Sequence, residues 1–263
     1  MALNNIRLFV ATPVHSEVSV HYFKACLEFQ KECFVRKIPV MFQVMKSSLV
    51  TQGRNLCVSG FLDSDCTHML FIDSDISFTY KMVERMLNYD KEITLVPYPV
   101  KSWDDDKVRK EIQKGNTLRT RLLGNQYTIA VSDPKNVRIE NGFIELERGP
   151  TGCMLIKREV FDKLGKEYPE FTIQQKTLID GKLVTRTNMF NYFDTYWDKT
   201  TKTYMGEDFF FCKLAKHAGV KMYALIDEYI EHYGEFAYVG RLSDEIQMDK
   251  NNSTIVPSIL KSE

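Results

Sequence analysis

The stretch HMLFIDSDISF, residues 68–78, drives an apolar run to its end and then sets two carboxylates one residue apart, Asp73 and Asp75, around Ser74. Alternation along an extended chain sends both acids to one face, where they can share a hard cation or a ligand-bound cation. Two close carboxylates repel and raise a pKa, so a divalent ion is a natural partner; capping the following helix is the competing use. A second acidic pair, Glu207-Asp208, opens an amphipathic stretch after Gly206. The helix dipole alone favours acids there, and one of them can also act as a general base toward an acceptor hydroxyl. His232, beside Tyr233 and Gly234 after an apolar run, becomes a metal ligand if the fold brings it to Asp75. Arg54 is expected in the first turn of a helix over 52–62 capped by Thr51, where it can pair with a phosphate or simply face solvent. Thr12-Pro13-Val14-His15 closes the first apolar run. Its amides can meet a base or phosphate, and its proline is also ordinary turn chemistry.

The elements that must position these groups alternate in type. Strands are expected over 6–12, 39–45, 68–73 and 93–99, with helices between them, the pattern of βαβ units around a mostly parallel sheet. Val20, Phe23, Leu27 and Phe34 recur at helical spacing, as do Met82, Val83, Met86 and Leu87, and both sets read as core faces. In such sheets ligands bind beyond the carboxyl ends of the strands, where Asp73-Ser74-Asp75 falls. After Lys101 the pattern becomes mixed. Asn141-Gly142 signals a hairpin, residues 152–157 a strand leading into a helix, and TLIDGKLVT a second hairpin. A helix over 207–218 ends at Gly219, a strand KMYALI follows, and HYGEFAYVGRL opens a tail with little regular pattern. Tyr192, Asp194, Tyr196 and Trp197 lie just upstream of Glu207, an aromatic stretch with a few polar groups that can be a binding face or equally a packed loop.

The bulk properties narrow the classes. With 263 residues, 44% of them hydrophobic, the chain can build one large core. Its 35 basic and 35 acidic residues cancel, so nucleic acid is not the expected partner. The six cysteines include no CxxC pair, which argues for buried thiols rather than a zinc knuckle or disulfide scaffold. No apolar stretch approaches the roughly 18–20 residues of a membrane span, and the first residues lack the pattern of a signal peptide, so a cytoplasmic protein is expected.

The order of LFVATP, QGRN, HMLFIDSDISF, GPTGCMLIKREVF, YMGEDFFFCKLAKHAG and IEHYG resembles the GT-A glycosyltransferases, particularly the small viral and bacterial enzymes near glycosyltransferase family 2. The resemblance spans residues 6–240. It implies a GT-A domain over 1–240, with a nucleotide-sugar-binding half (1–100) and an acceptor half (101–240), and a tail over 241–263. It implies that Asp75 binds Mn²⁺ or Mg²⁺ on the donor diphosphate, that Asp73, beside Ser74, touches the donor ribose or sugar and shares the metal, and that His232 completes the metal shell. By the same resemblance Thr12, Pro13 and His15 line the base, Arg54 lies near the nucleotide, and Gly152, in Gly149-Pro150-Thr151-Gly152, floors the sugar site. Asp208, with Glu207 in reserve, is implied as the base of an inverting transfer from a nucleoside-diphosphate sugar, a UDP-sugar favoured, to a glycan hydroxyl. A retaining mechanism and a non-catalytic nucleotide-sugar or glycan-binding module are the alternatives on the same fold. FIDSDIS also resembles the first motif of haloacid-dehalogenase phosphatases, but two strands precede it and Ile76 stands where that motif has glycine.

Overall fold

Hydrophobic patterning decides which of these short elements meet. The computed structural model describes residues 5–179, 181–234 and 237–244. In chain order the elements are β1 (Leu8–Val14), α1 (Val20–Val35), β2 (Val40–Lys46), α2 (Val50–Leu62), β3 (His68–Ile72), β4 (Ile76–Ser77), α3 (Tyr80–Tyr89) and β5 (Ile93–Leu95). Then come α4 (Asp105–Gln113), α5 (Thr120–Leu123), β6 (Phe143–Leu146), β7 (Cys153–Lys157), α6 (Arg158–Glu167), β8 (Thr172–Ile179) and β9 (Lys182–Phe190). The last are β10 (Tyr196–Asp198), β11 (Thr203–Met205), α7 (Glu207–His217), β12 (Met222–Leu225), β13 (Ile230–Tyr233) and β14 (Ala237–Gly240).

Seven strands form one sheet in the order β2-β1-β3-β7-β5-β12-β6. β1 is parallel to β2 and β3, and β12 to β5, whereas β7 runs antiparallel between β3 and β5 and β6 antiparallel at the edge. The sheet is therefore mixed rather than parallel, and strands from before and after Lys101 interleave in it. β7 takes the centre because Cys153, Met154, Leu155 and Ile156 form a run that needs cover on both faces, and all four are buried. Helices α1 and α3 cover one face; α2, α6 and α7 cover the other.

The expected strand over 93–99 stops at Leu95, since Pro97 and Pro99 have no N–H to give the ladder. That early stop frees Tyr98 and the Pro99 carbonyl to turn toward the strand ends. Helix α3 buries Met82, Val83, Met86 and Leu87 as expected, with Thr79 Oγ1 accepting from the Met82 N–H at its start. Helix α1 does the reverse: Val20, Phe23, Leu27 and Phe34 are 51–83% exposed, and Tyr22, Ala25, Cys26, Phe29 and Cys33 are buried instead. The helix carries two apolar faces. The one that packs includes Tyr22, whose hydroxyl lies 2.6 Å from buried Thr12 Oγ1 and satisfies both.

Asn141 and Gly142 both take positive φ, 53° and 84°, as a tight hairpin turn requires. Only the second arm becomes a strand, β6; the first gives a single bridge, Glu140 to Phe143. The second expected hairpin is realised as the longer β8–β9 pair. HYGEFAYVGRL is more regular than expected: β13 pairs with both β14 and β4 in a small three-stranded sheet. Of the expected tail, Leu242 is buried in the core, and residues 245–263 lie outside the described residues. All six cysteines are free and buried. Among the described residues no helix is long and apolar enough to cross a membrane.

Candidate active site

Asp73 leaves β3 where the strand ends, its N–H donating to the Gly152 carbonyl at 2.9 Å. Ser74 and Asp75 form the turn into β4, and the Ser74 carbonyl accepts from the Ser19 N–H at the start of α1. Because β4 pairs with β13, with Ile76 opposite His232, the turn is carried directly to the histidine. The Tyr233 N–H donates to the Asp75 carbonyl at 2.8 Å, and His232 Nε2 lies 3.5 Å from Asp75 Oδ1. His232 Nδ1 lies 2.9 Å from the Pro99 carbonyl, which can only accept, so Nδ1 carries a proton. Nε2 therefore presents to Asp75 either a second proton or a lone pair, and a lone pair facing a carboxylate calls for a cation between them. The Lys101 ammonium holds the other Asp75 oxygen. Burial raises the Asp75 carboxyl, but hydrogen bonds from His232 and Lys101 outweigh it and its pKa is lowered.

Asp73 of the first acidic pair and both acids of the second, far apart in sequence, meet at Arg54. Its side chain is 3% exposed, with Nη1 3.1 Å from Asp73 Oδ1, Nη2 3.3 Å from Asp73 Oδ2 and Nε 3.4 Å from Glu207 Oε1. The Nη1 contact is too oblique for a hydrogen bond: Nη1 and Asp73 Oδ1 are buried with no hydrogen-bond partner among the described residues. Burial disfavours the Arg54 charge, yet Asp73, Asp208 and Glu207 more than restore it, and its pKa is raised. Helix α2 starts at Val50 with Leu49 before it and no side-chain cap, so Thr51 does not cap it. Arg54 thus sits in the second turn and points into the protein, neither at a helix N-terminus nor in solvent. Asn55 beside it clamps the 191–193 segment, its Oδ1 accepting from the Phe193 N–H and its Nδ2 donating to the Phe193 carbonyl.

Glu207 and Asp208 occupy the first turn of α7 after Gly206. Burial pushes the Asp208 carboxyl up to about 6, Arg54 opposing and Glu207 adding to the rise. Its Oδ2 accepts a long bond, 3.4 Å, from the Thr151 N–H, and Thr151 Oγ1 is buried with no hydrogen-bond partner among the described residues. Two buried atoms, Asp73 Oδ1 and Thr151 Oγ1, thus flank the cluster without a hydrogen-bond partner among the described residues, the first still within 3.1 Å of the Arg54 guanidinium.

Gly152 is needed because backbone, Asp73 and Tyr98 converge there. A Cβ at that position would stand 2.5 Å from Tyr98 Oη and 2.6 Å from Asp73 Oδ2. Gly152→Ala is expected to lower stability by about 1–3 kcal/mol through this overpacking. An unchanged urea midpoint would show the site to be looser than this contact set.

Some expected residues are not brought in. Thr12 is fully buried with its hydroxyl on Tyr22, and Pro13 is buried against Gly53, so neither side chain is free to line a base. His15 is exposed just beyond β1. Tyr192 is core, stacked on Phe190, and Asp194 is turned onto its own loop, accepting from Asn191 and from the Thr195 N–H. Asp73, Asp75 and His232 do not converge as one metal shell, because Asp73 is drawn to Arg54; among the described residues no group of three or more potential ligands is preformed. Tyr98 and Lys101 were missed. Tyr98 lies edge-on to His232 and against Gly152, its hydroxyl raised well above the ordinary tyrosine range by burial and by Asp73. The signal for both was their place just past the end of β5, at the same edge as Asp73.

The fold and site together define a single-domain α/β protein, with a mixed seven-stranded sheet and a buried arginine–carboxylate cluster at the end of β3. No protein-family model and no curated protein matches the chain. Among solved structures it is similar to protein A197 from STIV, at 16% identity over 98% of this chain and 95% of that one, with a TM-score of 0.45.

Proposed function

We propose that the chain is a GT-A-type glycosyltransferase that moves a sugar from a nucleoside-diphosphate donor to a glycan hydroxyl with inversion, using Asp208 as general base. The observation that carries this reading is the convergence on Arg54 of Asp73 from the end of β3 and Glu207 from the start of α7, with Asp208 beside them. One guanidinium among three carboxylates leaves the pocket negative, a charge balance suited to a divalent cation. Asp75 and His232 are the residues that would hold it, the Nδ1–H bond to Pro99 aiming Nε2 as metal-bound histidines require. A divalent ion there supplies Lewis acidity to the leaving diphosphate. Lys101 would swing from Asp75 to the phosphates on its flexible stem.

Asp208 would accept the acceptor's proton; its raised pKa makes it a stronger base than an ordinary carboxylate. The same geometry disfavours the phosphatase reading, because Asp73, which would be the nucleophile, is clamped by Arg54.

Thermal unfolding with UDP, GDP, ADP and their sugars, each with and without Mn²⁺, tests the donor half of the proposal. One nucleotide should raise Tm in a metal-dependent way, since ligand at 100 times its Kd adds about 2.7 kcal/mol. No shift with any of them refutes it. Product anomeric configuration opposite to the donor's is expected, and retention would remove Asp208 from its role.

A further inference from the structure

Strand β2 ends the seven-stranded sheet, and among the described residues no strand pairs with its outer edge. It matches β1 one to one over its whole length, without a bulge. The Leu8 N–H donates to the Pro39 carbonyl and the Ser47 N–H to the Val14 carbonyl, which fixes the facing of the residues between. Met41, Gln43 and Met45 turn their backbone groups to β1, so those of Val40, Phe42, Val44 and Lys46 turn outward. Edge strands are ordinarily blunted by proline, a bulge or an inward charge; VMFQVMK has no proline, and its one charge stands at the end. The apolar surface continues from this edge onto α1. Val40 and Phe42 pack half-buried on the α1 face of the sheet, and Val44, on the same face by alternation, is 55% exposed. One flank of α1 faces α3 and β13, with Arg36 over Tyr80 and His21 stacked on Tyr233. The helical period puts Phe23, Leu27 and Phe34 on the opposite flank, the one nearer β2 and the end of the sheet.

We propose that this face is the interface of a homodimer, in which β2 pairs antiparallel with β2 of a second copy about a two-fold axis and the Phe23, Leu27 and Phe34 flanks of the two α1 helices pack across it. A lipid surface would cover the side chains but offers nothing to an open ladder, so the strand edge selects a strand as its partner. Identical edges brought together antiparallel complement one another, and the contact closes at two copies. With 35 basic and 35 acidic residues, no net charge holds the copies apart. The area is also sufficient. At roughly 200 Å² for a fully exposed large side chain, Val20, Phe23, Leu27, Phe34 and Val44 with half-buried Val40 and Phe42 offer on the order of 700 Å². The free backbone edge brings this close to the roughly 800 Å² that each partner gives to a stable interface. The inference is independent of the transfer chemistry, but α1 connects the two. The Ser19 N–H at its start donates to the Ser74 carbonyl, so a partner that fixes α1 also steadies one side of the DSD turn.

Sedimentation equilibrium of the full chain from about 1 to 100 μM tests the proposal, since interfaces of this size hold at μM concentrations or below. The parent should sediment as a dimer. Leu27→Lys and Val44→Pro should each raise the dimer Kd about tenfold or more, the scale of losing one important interface contact. Val44→Pro is the sharper probe, because the N–H it removes faces outward and β1 does not use it. Thermal unfolding of the dilute, monomeric proteins checks that the variant keeps its fold; Leu27→Lys, at an exposed helix position, reports on the interface even if Val44→Pro does not fold. A parent that stays monomeric at about 100 μM overturns the dimer, as does a dimer that neither variant weakens. Weakening by Leu27→Lys with none in a folded Val44→Pro refutes strand pairing. A monomeric parent that floats with phosphatidylcholine–phosphatidylserine vesicles, and no longer does so as Leu27→Lys, would assign the face to a membrane instead.

Discussion

Asp208→Asn is expected to reduce sugar transfer by about 10²–10⁴-fold, the usual worth of a positioned general base, while nucleotide binding stays intact. The stability of this variant should move the other way. Folding raises the Asp208 carboxyl to about 6, above its unfolded value, because burial penalises the charged form more than Arg54 rewards it. The native state therefore holds a proton where the unfolded chain has lost it, so ionised Asp208 costs stability above pH 6 and the cost fades as pH falls toward 4. Replacing it with a neutral isostere removes that cost. At pH 8 the variant should be as stable as the parent or more so, by up to about 3 kcal/mol, and at pH 4 the two should nearly coincide. In the parent, transfer should decline below pH 6 with the protonation of one group. Transfer within tenfold of the parent in Asp208→Asn, measured with anomerically pure donor, would eliminate this residue as the base. Lower stability at pH 8 would mean that Asp208 holds the fold together instead.

Those expectations draw on a site that was only partly legible in the sequence, and the reasons are local. Asp73, Asp75, Glu207 and Asp208 were visible because each pair stands at the boundary of a strongly patterned element, where short-range rules apply. The direction of Arg54 was not. It depends on which face of α2 packs against the sheet and the 191–193 segment, and with nearly every residue from Gly53 to Phe61 buried the helix has no polar face to mark it. The closeness of His232 to Asp75 depends on β4, a two-residue strand no periodicity can reveal, pairing with a strand more than 150 residues later. Helix α1 shows a third kind of ambiguity: Val20, Phe23, Leu27 and Phe34 make as good a stripe as the face that packs, and only the sheet, by offering Thr12 to Tyr22, breaks the tie. Mixed strand order likewise follows from where β7 fits, not from its own residues alone.

Arg54→Met should be the most destabilising single change at the site. Removing one partner from a buried ionic cluster leaves the others uncompensated, at a typical cost of about 3–5 kcal/mol, and here one guanidinium faces Asp73, Glu207 and Asp208. Methionine matches the length of the stem, so most of the loss is electrostatic rather than cavity formation. The pH dependence identifies the cause. Without the arginine, Asp208 loses the interaction that lowers its pKa, so its proton is held still more tightly in the folded state. An acid whose folded pKa is raised costs stability above that pKa, so the deficit of the variant should be largest near pH 8 and shrink as pH falls through and below 6. A packing defect would be the same at every pH. Arg54→Lys should recover only part of the loss, since a point charge cannot face Asp73 and Glu207 together as the planar fork does. Urea unfolding of all three proteins at pH 8, 6 and 4.5 decides between the two places Arg54 can have in the mechanism. An internal counterion predicts a pH-dependent loss in the ligand-free protein. A phosphate ligand predicts an unchanged ligand-free protein and a loss confined to nucleotide affinity, and that result would detach the DSD turn from the Glu207-Asp208 turn and with it the main support for a shared active site.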